Sequence, residues 1–218
     1  MKKLITLLAI VLAFGANAQV SINAGTSMLV GFNSPGPWGG VHLGLEIPRS
    51  DAVALFGKLT HFVNRRDPVY EDIIEITVPG QGYPDLQTVR KTPWMNITVL
   101  EGGTRYYLGN GFDYGFAAYG GSSVKLVFSS AKVRYEDLDG VRLESLEGQE
   151  NGTIFSLGFG IGGGVKYSTG RFGTFYLDAG VSYMIFNQAS QNNVSARMFN
   201  PLLFDFSLGW RKDLRAKE

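Results

Sequence analysis

The chain has no cysteine and only two histidines, His42 and His61, in 218 residues. Without cysteine there is no disulfide, no thiolate metal ligand and no thiol to carry a lipid. Neither histidine belongs to an H-x-x-x-H or carboxylate-spaced motif, so no metal or cofactor site is expected. Neither sign of charge is in excess, with 20 basic against 19 acidic residues. A general nucleic-acid surface needs a basic excess, so nucleic acid is not expected as a partner. Helical periodicity is also missing: after residue 18, glycine, β-branched and aromatic residues interrupt every candidate stretch.

The one long apolar run, Leu4 to Phe14, follows Lys2 and Lys3 and ends at Ala16-Asn17-Ala18. It is shorter than the ~20 residues of a membrane-spanning helix. A charged start, a short apolar core and an A-x-A site read instead as a signal peptide over residues 1–18, removed on export. Losing Lys2 and Lys3 lowers the basic count from 20 to 18, so the exported chain is close to neutral. Its length of about 200 residues suits one all-β domain.

What the sequence has in abundance is alternation of period two. Phe155, Leu157, Phe159, Ile161, Val165 and Tyr167 line one face, opposite Ile154, Ser156, Gly158, Gly160, Gly162, Gly164 and Lys166. Phe175, Leu177, Ala179, Val181, Tyr183 and Ile185 repeat the pattern opposite Tyr176, Asp178, Gly180, Ser182 and Met184. The same holds for Val41 to Ile47 and Phe204 to Trp210, and Phe112, Tyr114 and Phe116 start another outer row that continues through Val124 to Phe128. Eight strands are expected, at about 19–32, 38–47, 53–64, 92–108, 112–128, 152–167, 173–187 and 199–211, with a bulge near Gly102-Gly103.

Connections alternate in length: Pro48 to Ala52, Gly109 to Gly111 and Ser168 to Phe172 are short, whereas 65–91, 129–151 and 188–198 are long. Short turns at one end and long loops at the other mark an up-and-down transmembrane barrel. A soluble lipocalin-like barrel is the rival, but its polar face would be rich in Lys, Glu and Thr. Here that face is mostly glycine and serine, which suits the narrow interior of eight strands. Trp38, Phe62, Trp94, Phe128, Phe155 and Phe186 are expected in an aromatic girdle at the long-loop end, and Phe112, Tyr167, Phe175 and Trp210 in one at the other.

Gly158, Gly160 and Gly163, with Asp178 twenty residues after the first, imitate a G-x-G-x-x-G dinucleotide fingerprint. That fingerprint needs a helix directly after its glycines. Gly162, Gly163, Gly164, Gly170 and Gly173 would each cost such a helix ~1 kcal/mol relative to alanine, so the run reads as the smooth inner wall of a strand. On the same inner face the registers place Glu46, Lys58, Glu101, Arg105, Lys125, Lys166, Asp178, Asp205 and Arg211. Both signs in one narrow space suggest a structural ion-pair network, with Asp178 a partner for Lys166 or Lys125. No catalytic residues are expected: His61 near the long-loop end could act as a base, but no G-x-S-x-G or Ser-His-acid cluster accompanies it.

The alternating faces, the loop asymmetry and the terminal Phe204-Asp205-Phe206-Ser207-Leu208-Gly209-Trp210 resemble the small outer-membrane β-barrels of Gram-negative bacteria. These are the OmpA-transmembrane-domain and OmpX-like group, and the "outer membrane protein beta-barrel" type of Bacteroidetes is most similar. The resemblance implies a barrel over 19–211 with a polar tail over 212–218, embedded in outer-membrane lipid and lipopolysaccharide. It also implies delivery by the barrel-assembly machinery, which reads the last strand. The role implied is envelope structure or surface interaction through the long loops, with an accessory barrel of a secretion or transport assembly as the alternative. A lipid-A-modifying enzyme and a soluble lipocalin-like binder rank lower. Within the first long loop, Asp72 to Val78 and Leu86 to Val89 flank Pro79-Gly80-Gln81-Gly82, a projecting hairpin. The acidic stretch 132–150 reads as a solvated loop, with binding of a divalent ion or of lipopolysaccharide-bridging cations the other reading.

Overall fold

The computed structural model describes residues 20–32, 36–66, 69–76, 85–112, 114–146, 151–187 and 201–214. The expected signal peptide and most of the polar tail lie outside these. The described strands are β1 (Ser21–Gly31), β2 (Trp38–Ser50), β3 (Val53–Arg66), β4 (Tyr70–Ile76), β5 (Asp85–Gly109), β6 (Gly115–Glu136), β7 (Gly152–Ser168), β8 (Thr174–Asn187) and β9 (Leu202–Asp213). All neighbours are antiparallel, β3 pairs with β5 past β4, and β1 pairs with β9. Eight strands therefore close a ring, and β4 stands outside it as the first arm of the expected hairpin.

The ring has a definite stagger. From Ser21 the partners run through Glu46, Phe56, Gly103, Ser123, Gly160, Ser182 and Leu203 back to β1 at Gly31, ten residues from the start by number. With ~3.3 Å per residue and ~4.8 Å between strands, that shear tilts the strands by about 40°. So tilted, eight strands enclose a bore that side chains fill.

Alternation then decides the radial position of each side chain. Val41, Leu43, Leu45, Leu59, Phe116, Phe159, Ile161, Phe175, Leu177, Tyr183, Ile185 and Leu208 are all exposed on the outer wall. Their strand neighbours His42, Glu46, Lys58, Thr60, Lys166, Tyr176, Asp178 and Ser207 are buried. The wall of the ring is thus apolar outside while the middle of the bore is polar, the inverse of a water-soluble domain.

Three expected positions need correcting. Trp38, Phe62 and Phe112 do not stand in the girdles; they are 1%, 2% and 2% exposed and point inward. Trp38 and Phe62 join Leu29, Met95, Ile97, Val99, Val127, Ile154 and Leu203 in an apolar plug at the long-loop end of the bore. Phe112 follows the end of β5 and seals the opposite end with Tyr107, Tyr119, Ala54 and Ala117. A barrel this narrow excludes water from its ends only if large side chains fold inward, and rim aromatics are suited to do so.

The phase change at Gly102-Gly103 is not a bulge. Pairing runs without a break from Val53↔Tyr106 to Phe62↔Ile97 on one side of β5, and from Arg90↔Glu136 to Gly109↔Ala117 on the other. What changes is the polarity of the interior: β5 points Met95, Ile97 and Val99 into the plug, then Glu101 and Arg105 into the charged zone. Irregularities occur instead between Pro48 and Ser50, between Phe62 and Arg65, and between Leu157 and Gly158.

Two strands also outrun their expected ends. β5 starts at Asp85 and β6 continues to Glu136, through what reads in sequence as a loop. Beyond the ring, β4, β5 and β6 form a three-stranded flange, and residues 137–146 fold back on it through Leu143 N–H to Tyr135 O (2.9 Å). Ala131, Val133 and Tyr135 still face inward there, but the outer positions have turned from apolar to Lys132, Arg134 and Glu136. β9 likewise passes Arg211 to Asp213.

Candidate functional site: the charged bore

All nine charged residues placed inside by sequence are buried in the bore. Eight of them fall into two layers. Nearer the short turns, the Arg105 guanidinium donates to Glu46 Oε2 (3.0 Å) and to Asp178 Oδ2 (2.8 Å), so one planar cation bridges β2 and β8 from β5. Arg211 approaches Glu46 Oε2 from β9 (3.4 Å) and donates to the Phe112 carbonyl (2.7 Å). Tyr107 donates to Glu46, and Tyr119 to Asp178. The two guanidiniums also stack on aromatic faces, Arg105 over Phe56 (4.5 Å) and Arg211 over Phe112 (3.7 Å). Arg suits this layer because its fork satisfies two carboxylates at once.

The second layer, nearer the middle, uses lysine. Lys58 stands 3.0 Å from Glu101, Lys125 stands 3.5 Å from the same carboxylate, and Lys125 also binds Asp205. Asp178 therefore takes Arg105 and Tyr119 as partners, while Lys125, one of its expected partners, goes to Glu101 and Asp205. Lys166, the other, turns toward the closed end, donating to Phe112 O (3.0 Å) and Ser168 Oγ (3.1 Å).

A third arrangement joins the layers to the plug. Ser207 and Ser27 hydroxyls lie 2.8 Å apart, Ser27 Oγ is 2.8 Å from His42 Nδ1, and His42 Nε2 is 2.6 Å from the Tyr176 hydroxyl. Tyr176 donates onward to Asn23 Oδ1 (3.4 Å). Since that hydroxyl spends its proton on Asn23, it accepts from His42 Nε2–H, and Nδ1 accepts from Ser27. This Ser-His-Tyr chain lies inside the barrel, His42 being 2% exposed. His61 is elsewhere, on the outer wall, with Nδ1 2.9 Å from Thr98 Oγ1. Among the described residues no group of three His, Asp or Glu is arranged to hold a metal ion.

Glycine makes the room for these layers. A Cβ at Gly164 would run into the Leu177 carbonyl and stand 2.8 Å from both Asp178 Oδ1 and the Tyr119 ring. The glycines that imitate a phosphate cradle thus line strand β7, with no helix following. Between the two layers lies a cavity of about 40 Å³ touching Lys58, Glu101, Arg105, Lys125, Asp178 and Asp205. That is room for ordered water at ~10–15 Å³ each, not for a solute.

The sequence matches no family model and no curated protein. The fold is similar to that of Neisserial surface protein A, with a TM-score of 0.50 at 12% identity over 89% of this chain and 95% of that one. The chain folds as an eight-stranded up-and-down barrel. Ail, the attachment invasion locus protein of Yersinia pestis, in complex with the heparin analogue sucrose octasulfate, gives a TM-score of 0.42 at 13% identity over 89% of this chain and 97% of that one. The N-terminal β-barrel domain of Pseudomonas aeruginosa OprF gives 0.42 at 14% identity over 90% and 100%. At 12% identity the likeness to Neisserial surface protein A is one of fold alone.

The network also takes in six residues that the pattern of charges did not point to: Tyr107, Tyr119, Tyr176, His42, Ser27 and Ser207. Their signal in the sequence is parity. Tyr107 shares its face of β5 with Arg105 and Glu101, Tyr119 its face of β6 with Lys125, and Tyr176 its face of β8 with Asp178.

Proposed function

We propose that this chain is an integral outer-membrane β-barrel protein with a filled bore, acting in envelope structure or surface interaction from its long-loop end. One observation carries the reading: the outer wall is apolar from Phe116 to Phe128 on β6 and from Phe175 to Phe186 on β8, while charges pair inside. Hydrocarbon leaves backbone amides without partners, and a closed ring of strands is one of two structures that satisfy them internally. The Phe128–Phe155–Phe186 row, with centroids 5.3 and 6.3 Å apart, supports a girdle at the upper edge, with Tyr167, Phe175 and Trp210 at the lower. In this reading residues 1–18 are the export signal, the source is Gram-negative and of the Bacteroidetes type, and the barrel is not an enzyme.

The β4–β5–β6 flange favours surface interaction over an accessory part of a secretion assembly, because it builds a folded platform beyond the girdle. The plug and the seal at Phe112 support a non-conducting bore. Refolding into phospholipid vesicles tests the reading: a heat-modifiable shift on a detergent gel and vesicle flotation are expected. A soluble, unshifted monomer after removal of residues 1–18 would overturn it in favour of the lipocalin-like binder. Planar-bilayer recordings should show no steady conductance.

A further inference from the structure

The outer wall just beyond the Phe128 girdle carries cations to which no described residue brings a carboxylate. On β6, Lys132 and Arg134 are exposed on the same face as Phe128, four and six residues further along the strand by number. At ~3.3 Å per residue and ~40° of tilt, Lys132 stands about 10 Å beyond Phe128 along the barrel axis. Trp94 is its partner across the β5–β6 ladder, and Arg66 is Trp94's partner across β3–β5. One row therefore reads Arg66, Trp94, Lys132, with Arg134 opposite Thr92 directly above.

Arg66 reaches this row through an irregularity. Even-numbered β3 positions up to Phe62 face the bore, and strict alternation would send residue 66 there as well. The register shift between Phe62 and Arg65 reverses the phase and turns Arg66 outward. Re-aiming one side chain is what such bulges do. The other cations of the flange are matched: Arg90 lies 3.5 Å from Glu71, Lys91 2.9 Å from Asp72 and Arg142 4.0 Å from Glu144. Among the described residues no carboxylate comes within 4.0 Å of Arg66, Lys132 or Arg134.

We propose that Arg66, Lys132 and Arg134, grouped around Trp94, form an exterior site for the phosphorylated headgroup of an outer-leaflet lipid. The inference rests on the membrane reading above, which fixes what adjoins this part of the wall. Three cations about 7 to 12 Å apart, set by strand spacing and rise, match a phosphate-bearing headgroup, and tryptophan is at home at that depth. Long basic side chains can close on phosphate oxygens while their stems rest on the girdle.

The test uses the refolded barrel in zwitterionic detergent, with bisphosphorylated lipid A, its dephosphorylated form and inorganic phosphate as probes, and native mass spectrometry as readout. Bisphosphorylated lipid A should be retained, and the dephosphorylated form should not. Each single change, Arg66→Gln, Lys132→Gln or Arg134→Gln, should weaken retention about fivefold, and the triple variant by at least tenfold. Arg90→Gln should leave it unchanged. Equal retention by the triple variant and the parent, or of the two lipid A forms, would overturn the site. Displacement of lipid A by equimolar inorganic phosphate would make it a free-anion site and overturn the lipid assignment. A preserved heat-modifiable shift in the triple variant separates loss of the site from loss of the barrel.

Discussion

Lys58 and Glu101 face each other 3.0 Å apart across the seam where β3 skips β4 to pair with β5. Glu101 also serves Lys125, so this carboxylate holds two ammoniums in the middle of the bore. Glu101→Gln leaves both to share Asp205, and breaking a buried pair from one side costs about 3–5 kcal/mol. Urea unfolding in vesicles should show that loss. The double variant Lys58→Met/Glu101→Leu should recover much of it, because no cation is then orphaned at that seam.

A second prediction separates lipid from water outside the wall. Leu43 is 67% exposed on β2, at mid-height. In a soluble barrel Leu43→Arg would be nearly neutral. Facing hydrocarbon it should cost about 2–4 kcal/mol and reduce the folded yield in vesicles. An unchanged yield would contradict the membrane reading.

Adjacent glycines on β6 provide a third. An added Cβ at Gly120 points outward and meets nothing nearer than Gly162 O at 3.6 Å, whereas one at Gly121 points inward and collides with the Thr104 carbonyl. Gly120→Ala should shift stability by no more than about 0.5 kcal/mol, and Gly121→Ala should lower it by about 1–3 kcal/mol. Paired unfolding curves of the two variants check both the register and the orientation of the face.

The fourth concerns His42. Its ring should be the neutral Nε2–H tautomer, visible in the ¹⁵N shifts of the imidazole. Tyr176→Phe removes the acceptor of that proton, and a buried donor left unsatisfied costs about 1–3 kcal/mol. A destabilisation confined to a few tenths would mean that the chain from Ser27 to Asn23 is not continuous.

The ring was legible in the sequence because period two is a strong signal when the two faces differ chemically. Phe159 and Ile161 against Gly158 and Gly160, or Leu177 against Asp178, leave one register. The same rule put all nine charged residues on the inner face. It failed where the chemical contrast reverses while the geometry continues. At Met95 to Val99 the interior turns apolar, which imitates a bulge; at Lys132 to Glu136 the exterior turns charged, which imitates a loop. Trp38, Phe62 and Phe112 were misplaced for a related reason: an aromatic near a strand end suits a girdle or a plug equally by composition. Partner choice within the bore depends on tilt and stagger, so the pairing of Asp178 with Arg105 could not be read from parity alone.

The two ends of the barrel lie side by side. Ser21 pairs with Asp213, and Leu214 N–H bonds to Val20 O at 2.9 Å, at the end of the barrel where the connections are short. A turn of the kind already joining β7 to β8 would span that gap, and any loop at the opposite end could then be cut instead. The ring has no intrinsic first strand, and circularly permuted chains that begin at β2 or β7 should close into the same barrel.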